Sequence, residues 1–309
     1  MSASRPMNAR EWAMLLTLAA IWGGSFFFIS VAVKALPPFT LVFLRVSIGA
    51  AGLLALLAVL RQTIPWRRAT LVAFVGMGLL NNVIPQTLIV WAQGTLPGGY
   101  ASILNATTPF FTVLILHVFT TGERATPARI AGVLIGFGGV ATMIGVDILA
   151  SAGHAIWPQL AMLAASFCYG LSNLWGRRIG ALGIPPLAAA AGQLCASSLI
   201  ILPLALALER PLSLPMPGAG VWAAVLGLAL LCTAFAYILF FRIMATAGAT
   251  NLSLVTFLIP VSAILLGILF LGEQLHPRHV VGMIVIGVGL ACIDGRLLLR
   301  FGVLRPAKE

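Results

Sequence analysis

A seven-residue motif occurs twice in this sequence. Residues 121–127 have the sequence TGERATP, and residues 271–277, 150 positions later, have the sequence LGEQLHP. In each copy, three residues separate the Gly-Glu pair from a proline. Each copy also follows a long apolar run that contains a proline of its own, Pro109 or Pro260. The same motif after the same kind of segment indicates that the chain is an internal duplication.

The composition is that of a membrane protein. Of the 309 residues, 61% are hydrophobic and 8% are charged, whereas a soluble domain carries about 25% charged residues. The apolar residues form ten stretches, each close to the ~20 residues that a helix needs to cross a bilayer. These predicted spans are 12–33, 39–60, 71–92, 96–120, 128–148, 157–175, 186–208, 220–241, 248–271 and 280–297.

The two halves of the chain must enter the membrane from opposite sides, because each holds five spans and five is odd. Inverted repeats of this kind are typical of secondary transporters. We therefore predict an all-α integral membrane protein of ten transmembrane helices, built as two inverted five-helix repeats. The predicted domains are the N-terminal repeat, 1–150, and the C-terminal repeat, 151–309.

The positive charges predict the orientation of these spans. If the N terminus is cytoplasmic, fourteen Lys and Arg residues lie at cytoplasmic ends, and only Lys34, Arg210 and Arg278 lie at outer ends. Positively charged loops stay in the cytoplasm. The sequence thus predicts a multi-pass protein of the inner (plasma) membrane with both termini in the cytoplasm.

Several function classes are disfavoured. The net charge of +11 comes from single or paired basic residues between apolar segments, so we expect no nucleic-acid partner. The four cysteines fall inside predicted spans without the spacing of a metal or redox motif, and no ATP-binding motif is present. We predict no metal, no cofactor and no enzymatic activity. Two alternatives stay open: an integral-membrane enzyme acting on lipid-linked substrates, and a scaffold or channel subunit that does not transport.

A known family shares several of these features in the same order. They are Trp22-Gly23-Gly24-Ser25-Phe26 in the first span, Arg45 in the second, the stretch 102–109 that leads to Gly122-Glu123, and its repeat, 253–260 leading to Gly272-Glu273. With them the whole chain resembles the drug/metabolite transporter superfamily, in its ten-helix EamA-type branch. The resemblance implies alternating access around a central cavity and export of small metabolites. The aromatic-rich sequence is similar to that of YddG-type exporters of aromatic and other apolar amino acids.

Polar residues inside the predicted spans mark a candidate pathway, because they are costly in lipid unless they face a cavity or a partner. Five spans carry them at helical spacing. We predict that the stripes converge on a small-molecule substrate, and the candidate binding residues are Trp22, Ser25, Asn82, Gln86, Asn105, Thr108, Tyr169, Asn173 and Thr256.

Three prolines strengthen this hypothesis. A proline inside a helix frees the carbonyl four residues earlier, and Pro85, Pro109 and Pro260 each do so at a polar residue. Exposed carbonyls of broken helices are a recurrent binding device in transporters. We therefore expect the freed carbonyls of Asn105 and Thr256 to contact the substrate.

Matching positions in the two halves complete the prediction. Trp22-Gly23 corresponds to Tyr169-Gly170, and Arg45 corresponds to Gln193. An inverted pair of rings near the bilayer centre is expected to face one shared cavity, or alternatively to fill the interface between the halves. For Arg45 we favour a structural role, bonded to backbone carbonyls or to an acid at a span end, over contact with a substrate carboxylate.

Proton coupling is not indicated. All seven acidic residues fall at span ends or in the tails, and His117 lies near a cytoplasmic end, where an interfacial or packing role is expected. Proton-driven carriers commonly use an ionisable group within the membrane. Exchange or facilitated transport therefore stays open beside coupled transport.

Small residues predict where helices pack closely. Gly132, Gly136 and Gly139 share a face of the fifth span, and we expect Gly282, Gly287 and Ala291 to do the same in the tenth. Such faces pair helices within one subunit or between two, so a homodimer is an open alternative.

Overall fold

The computed structural model describes residues 7–120, 126–144 and 156–294, and over these residues the chain forms ten helices and no strand. Their bounds are α1 Ala9–Ala32, α2 Pro38–Val59, α3 Arg68–Gln93, α4 Gly98–Phe119, α5 Pro127–Ile144, α6 Trp157–Ala181, α7 Pro186–Glu209, α8 Ala219–Gly248, α9 Val255–Leu271 and α10 Pro277–Asp294. Proline opens α2 and α7 at matching places in the two halves, where its missing N–H costs nothing.

Seven of these helices, α1 to α5, α7 and α8, are long and apolar enough to cross a bilayer on their own, and the shorter apolar segments Val255–Leu271 and Pro277–Ile293 accompany them. Helix α6 has 25 residues, well above the length needed, and it carries a polar stripe. The predicted ends of the fifth and tenth spans, 145–148 and 295–297, lie outside the described residues.

Two predicted spans are broken where single helices were expected. Helix α4 consists of Gly98–Asn105 and Thr108–Phe119, separated by two residues. Before α9, the backbone turns at Gly248, whose φ of 81° belongs to the left-handed region, and one more helical turn reaches Leu252. The predicted ninth span, 248–271, is therefore a short turn followed by α9. In both halves the fourth predicted span is therefore interrupted.

The third helix of each half contains a wide, π-helical stretch, Gly78–Val83 in α3 and Gly227–Phe235 in α8. In α3 the stretch directly precedes Pro85, which has no N–H to continue the regular ladder. In α8 the Thr233 hydroxyl donates to the Leu228 carbonyl, five residues earlier, over 2.9 Å. Such stretches change which side chains face the interior.

Helices α5 and α10 pack through bare backbone. A β-carbon at Gly132 would lie 2.6 Å from the carbonyl oxygen of Gly289, and one at Gly139 would lie 2.9 Å from that of Gly282. Because the early residue of α5 meets the late residue of α10, the two helices run antiparallel. Equivalent helices that run antiparallel are what two inverted repeats require.

This contact corrects one expectation. A β-carbon at Gly287 would meet nothing within 4 Å, so the packing face of α10 is Gly282 and Gly289 rather than Gly282, Gly287 and Ala291. The glycine faces of α5 and α10 therefore pack against each other within one chain.

The repeated Gly-Glu motif ends a helix and begins a contact with another. Gly272 follows α9 with a φ of 64°, a conformation that glycine adopts without strain. The Glu273 amide then donates to the Gly267 carbonyl over 3.1 Å, six residues back, as in a Schellman cap. This turn aims the carboxylate of Glu273 at α4, whose first amides, of Gly98 and Gly99, donate to it over 2.8 and 2.9 Å. Gly122-Glu123, the first copy, lies outside the described residues.

A second carboxylate holds α2 in the same way. Glu209, at the end of α7, accepts hydrogen bonds from the amides of Phe39 and Thr40 over 2.9 and 2.6 Å and from the Thr40 hydroxyl over 2.8 Å. Negative charge is favourable at a helix N terminus. Since α2 and α4 begin at the same face of the bundle, both clamps lie there, and we call it the Glu273 face.

Glu273→Gln is expected to lower the thermal unfolding midpoint of the detergent-solubilised protein. The substitution turns an NH₂ group toward one of the two glycine amides, and a buried donor left without an acceptor costs about 1–3 kcal/mol. Thermal unfolding of the purified protein measures this change. The matched control is Gln274→Ala, at the exposed neighbouring position, which should leave the midpoint unchanged. Equal midpoints for Glu273→Gln and the unmodified protein would contradict the proposed stabilisation.

Candidate functional site

Arg45 carries a positive charge in the interior of the helix bundle. It lies in the first half of α2, and its Nε donates to the Thr233 hydroxyl of α8 over 3.0 Å. That hydroxyl donates in turn to the Leu228 carbonyl, so it can act only as an acceptor toward Arg45. The four N–H groups on the terminal nitrogens of Arg45 have no hydrogen-bond partner among the described residues.

The Tyr237 hydroxyl of α8 brings two further helices to the same place. The Asn81 side-chain amide of α3 donates to it over 3.0 Å, and the side chain of Gln193, in α7, lies next to it. Tyr237 and Tyr169 both lie close enough to Arg45 to interact with its charge. We call Arg45, Asn81, Tyr169, Gln193, Thr233 and Tyr237 the central polar cluster. It contains residues of α2, α3, α6, α7 and α8.

Aromatic rings line one side of this cluster. The rings of Tyr237 and Phe241 are stacked with centroids 6.1 Å apart, Phe241 meets Phe240 edge-on at 5.2 Å, and Phe240 lies 5.8 Å from Trp22 of α1. Trp22 and Tyr237 are both partly exposed. A continuous series of rings therefore leads from α1 to the polar groups around Arg45.

Both halves of the chain contribute equivalent positions to this region. Arg45 and Gln193 each lie seven residues after the proline pair that opens their helix, and both contact the cluster residues of α8. Tyr169 lies within range of the charge of Arg45, whereas its equivalent, Trp22, reaches the cluster through Phe240. The two predicted rings thus lie in one region without a direct contact between them.

Arg45 has no acidic partner in the described part of the chain. Of the three acidic side chains described there, Glu11 caps α1 through Asn8, and Glu209 and Glu273 hold the N termini of α2 and α4. Arg45 was expected to bond backbone carbonyls or an acid at a span end, and among the described residues it bonds neither. Its hydrogen-bond partner is a hydroxyl, and its charge is not neutralised by these acids.

The other predicted residues of α3 form a separate pair. Asn82 and Gln86 are buried, and the Gln86 amide donates to the Asn82 carbonyl oxygen over 3.0 Å. The remaining amide nitrogen of Asn82 and oxygen of Gln86 have no hydrogen-bond partner among the described residues. The structure therefore assigns Asn81, not Asn82, to the central polar cluster.

The polar stripes of α4 and α6 meet each other. The Asn173 amide donates to the Thr112 hydroxyl over 3.0 Å, and Asn173 is exposed. The Ser166 hydroxyl lies 3.4 Å from the Asn105 carbonyl, which also accepts from the Thr108 hydroxyl over 2.8 Å. These contacts join α4 of the N-terminal half to α6 of the C-terminal half.

The carbonyl of Asn105 is not free, contrary to the expectation from Pro109. Because α4 is interrupted before Thr108, Pro109 occupies the first turn of a new helix rather than the middle of an old one. The adjacent hydroxyls satisfy the carbonyl that this break exposes. The side-chain oxygen of Asn105, in contrast, is buried without a described partner.

Two predicted residues have no described contact with the central polar cluster. The Thr256 hydroxyl donates to the Ser253 carbonyl of its own chain segment over 2.7 Å, and Ser25 is buried within α1. The side chain of Thr250, which shares the predicted stripe of Thr256, lies outside the described residues.

Sequence reasoning missed Tyr237 and Thr233. The signal was present as two polar residues four apart in the otherwise apolar eighth span. Gln193 was noted only as the repeat partner of Arg45, and Asn81 was not among the candidate binding residues.

Other features of the described residues do not offer a polar site. Among them no three His, Cys, Asp or Glu side chains are grouped to hold a metal ion. Two grooves between α3 and α6 open to the outside of the bundle and are lined almost wholly by apolar atoms, which suits lipid chains. The larger one is lined by Leu88, Trp91, Trp157, Leu160, Ala161 and Ala164.

Known proteins share this architecture. A solved crystal structure superposes with a TM-score of 0.66 at 21% sequence identity, over 96% of this chain and 99% of that chain. The likeness concerns the fold, since the identity is low.

Curated relatives match over nearly their whole length. The inner membrane transporter YedA of Escherichia coli K12 is 27% identical over 94% of both chains, and the transporter YoaV of Bacillus subtilis is 24% identical over 89% of this chain and 94% of its own. A probable terminal-alkyne amino-acid exporter of Streptantibioticus cattleyicolor is 27% identical over 95% of this chain and 96% of its own.

The family model for the EamA-like transporters matches the chain twice, at residues 10–145 and 156–293. Two copies of one domain confirm the duplication predicted from the Gly-Glu motif, and with the helices described above they confirm the prediction of ten transmembrane helices in two five-helix repeats. The protein is a multi-pass membrane transporter and not an enzyme. The chain belongs to the EamA-like transporter family.

Proposed function

We propose that this transporter exports small neutral or amphipathic metabolites, namely amino acids including aromatic ones, by alternating access between its two repeats. The observation that carries the proposal is the central polar cluster. There an arginine with free N–H groups and amide side chains lie beside aromatic rings. Amino acids present the same combination of a charged end and an apolar end.

Contacts at the Glu273 face hold the two broken spans together. Glu273 clamps the start of α4, and a β-carbon at the adjacent Gly99 would lie 3.1 Å from Ile264 of α9. Helices α4 and α9 are therefore packed together at this face, which the positive charges predict to be the outer one. The relative named as a probable amino-acid exporter adds support for this substrate class.

Counterflow in proteoliposomes tests the proposed substrate class. Liposomes containing the purified protein are loaded with an unlabelled amino acid, and uptake of the same labelled compound is followed. We expect L-phenylalanine or L-leucine to show counterflow, and nucleosides and sugars to show none. Liposomes without protein are the control. Counterflow of nucleosides or sugars alone would replace the proposed substrate class.

Topology gives a second prediction, in which we propose an inner-membrane protein with cytoplasmic termini. A reporter active only in the cytoplasm is expected to work when fused after Arg68, Arg178 or Lys308, and to fail after Lys34 or Glu273. The reason is the excess of basic residues at one set of span ends. Accessibility of Glu123 and Glu273 from the same side would contradict the inverted arrangement.

A further inference from the structure

We infer that the central polar cluster selects substrates that carry a carboxylate, and that Arg45 binds this group. The inference rests on the proposed function and narrows it to compounds with a free carboxylate, amino acids in their zwitterionic form among them. Neutral amides, amines and sugars are excluded by the same contact.

The first argument is the unmet bonding capacity of Arg45. A guanidinium has five N–H donors in a planar fork. The bond from Nε to Thr233 uses one and fixes the plane of the group. The terminal N–H groups that remain unpaired within the described residues form the edge that binds a carboxylate with two parallel hydrogen bonds.

The second argument is the uncompensated charge. A charged group within a membrane span is costly unless it is paired or faces a water-filled cavity, and Glu11, Glu209 and Glu273 are all engaged at helix N termini elsewhere. An anionic substrate would supply the missing partner. One unpaired positive charge matches one carboxylate.

The third argument is an acceptor beside the donor. Gln193 is buried, and its side-chain oxygen has no hydrogen-bond partner among the described residues. The same side chain lies next to Tyr237, which lies within range of the charge of Arg45. A substrate ammonium group can donate to this oxygen while the carboxylate faces Arg45. The two equivalent positions of the repeats, one cationic and one neutral, thus suit the two ends of a zwitterion.

Binding to the full-length protein in detergent micelles tests the inference directly. Isothermal titration calorimetry is performed with L-phenylalanine, L-leucine, their carboxamides, and 3-phenylpropanoate. Each carboxamide keeps the ammonium and the side chain but not the negative charge. We expect the amino acids to bind about tenfold to a hundredfold more tightly than their carboxamides, which is the usual worth of hydrogen bonds to a charged group.

Variants locate the effect. Arg45→Gln is expected to abolish the preference for the acid over the carboxamide, and Arg45→Lys to restore it in part, because a lysine keeps the charge without the planar fork. The matched control is Arg242→Gln, which removes an exposed charge from the same helix as Tyr237 and should keep the full preference. If Arg45→Gln does not fold, the preference of the unmodified protein still tests the selectivity for a carboxylate, and an unchanged preference in Arg45→Lys would contradict binding by the guanidinium of Arg45.

Each outcome has one meaning. Equal affinities for acid and carboxamide would overturn the inference and leave amino-acid transport standing. Binding of 3-phenylpropanoate but of neither amino acid, with dependence on Arg45, would support the carboxylate contact and overturn the proposed amino-acid substrate. A preference that persists in Arg45→Gln would show that another group binds the carboxylate, and absence of binding by every probe would overturn both proposals.

Discussion

Gly289→Ala is expected to lower the thermal unfolding midpoint of the protein markedly, whereas Gly287→Ala, two residues earlier in α10, is expected to leave it unchanged or to raise it. A β-carbon at Gly289 would lie 2.6 Å from the carbonyl oxygen of Gly132 and 2.8 Å from the amide nitrogen of Gly136. Both contacts are to backbone, so no side chain can move aside. Helix α5 must separate from α10, and such overpacking costs about 1–3 kcal/mol or more.

The control isolates this effect, because the two substitutions are chemically identical. A β-carbon at Gly287 meets nothing within 4 Å, and alanine is a better helix former than glycine by about 1 kcal/mol. Thermal unfolding of both purified variants in the same detergent gives the comparison. Equal midpoints for Gly289→Ala and Gly287→Ala would show that α5 and α10 do not approach as closely as described.

The glycine face illustrates what the sequence could have predicted. Gly132 and Gly139 are seven residues apart, as are Gly282 and Gly289, and seven residues bring a helix back to nearly the same face. Gly287 lies five residues after Gly282, which places it well away from that face. The seven-residue spacing of Gly132 and Gly139 in α5 therefore predicts Gly282 and Gly289 as the packing face of α10. The choice of Gly287 and Ala291 used composition without this spacing.

The exchange of Asn81 for Asn82 has a different origin. A helical wheel assumes the same angle of rotation for every residue. The π-helical stretch Gly78–Val83 breaks that assumption at the two asparagines. Pro85 indicated that the helix would be irregular, but not how the irregularity would be resolved. The same holds in α8, where the wide stretch contains Thr233 and precedes Tyr237 without a proline to signal it.

The environment of Arg45 depended on contacts between distant parts of the chain. Glu209 is an acid at a span end, of the kind expected to bond Arg45, and its helix α7 packs against α2. It binds the amides of Phe39 and Thr40 instead, about 170 residues away in sequence. Which of two neighbouring donors a carboxylate binds depends on differences of a few ångströms in their positions. Hydrophobic periodicity predicts which helices exist, but it carries no information at that scale.

Trp22→Ala and Tyr169→Ala are expected to reduce counterflow to near the level of protein-free liposomes while leaving the unfolding midpoint close to that of the unmodified protein. If a substrate covers half of a ring that buries about 150 Å² when fully enclosed, the loss is ~2 kcal/mol at ~25 cal/mol per Å². This corresponds to more than about tenfold in affinity. Initial rates of counterflow measure the effect, with Trp12→Ala, at an exposed position near the start of α1, as the control.

Stability is expected to survive because the residue after each ring holds the helix in place. A β-carbon at Gly23 would lie 2.9 Å from the Ile259 carbonyl, so α1 is fixed to α9 through its backbone; one at Gly170 would lie 3.2 Å from the backbone of Phe111, so α6 is fixed to α4. Neither contact involves the ring. In the pairs Trp22-Gly23 and Tyr169-Gly170, the glycine therefore packs the helix and the ring faces the central region. If both alanine variants aggregate on extraction, the rings carry packing instead; if both transport normally, the substrate does not contact them.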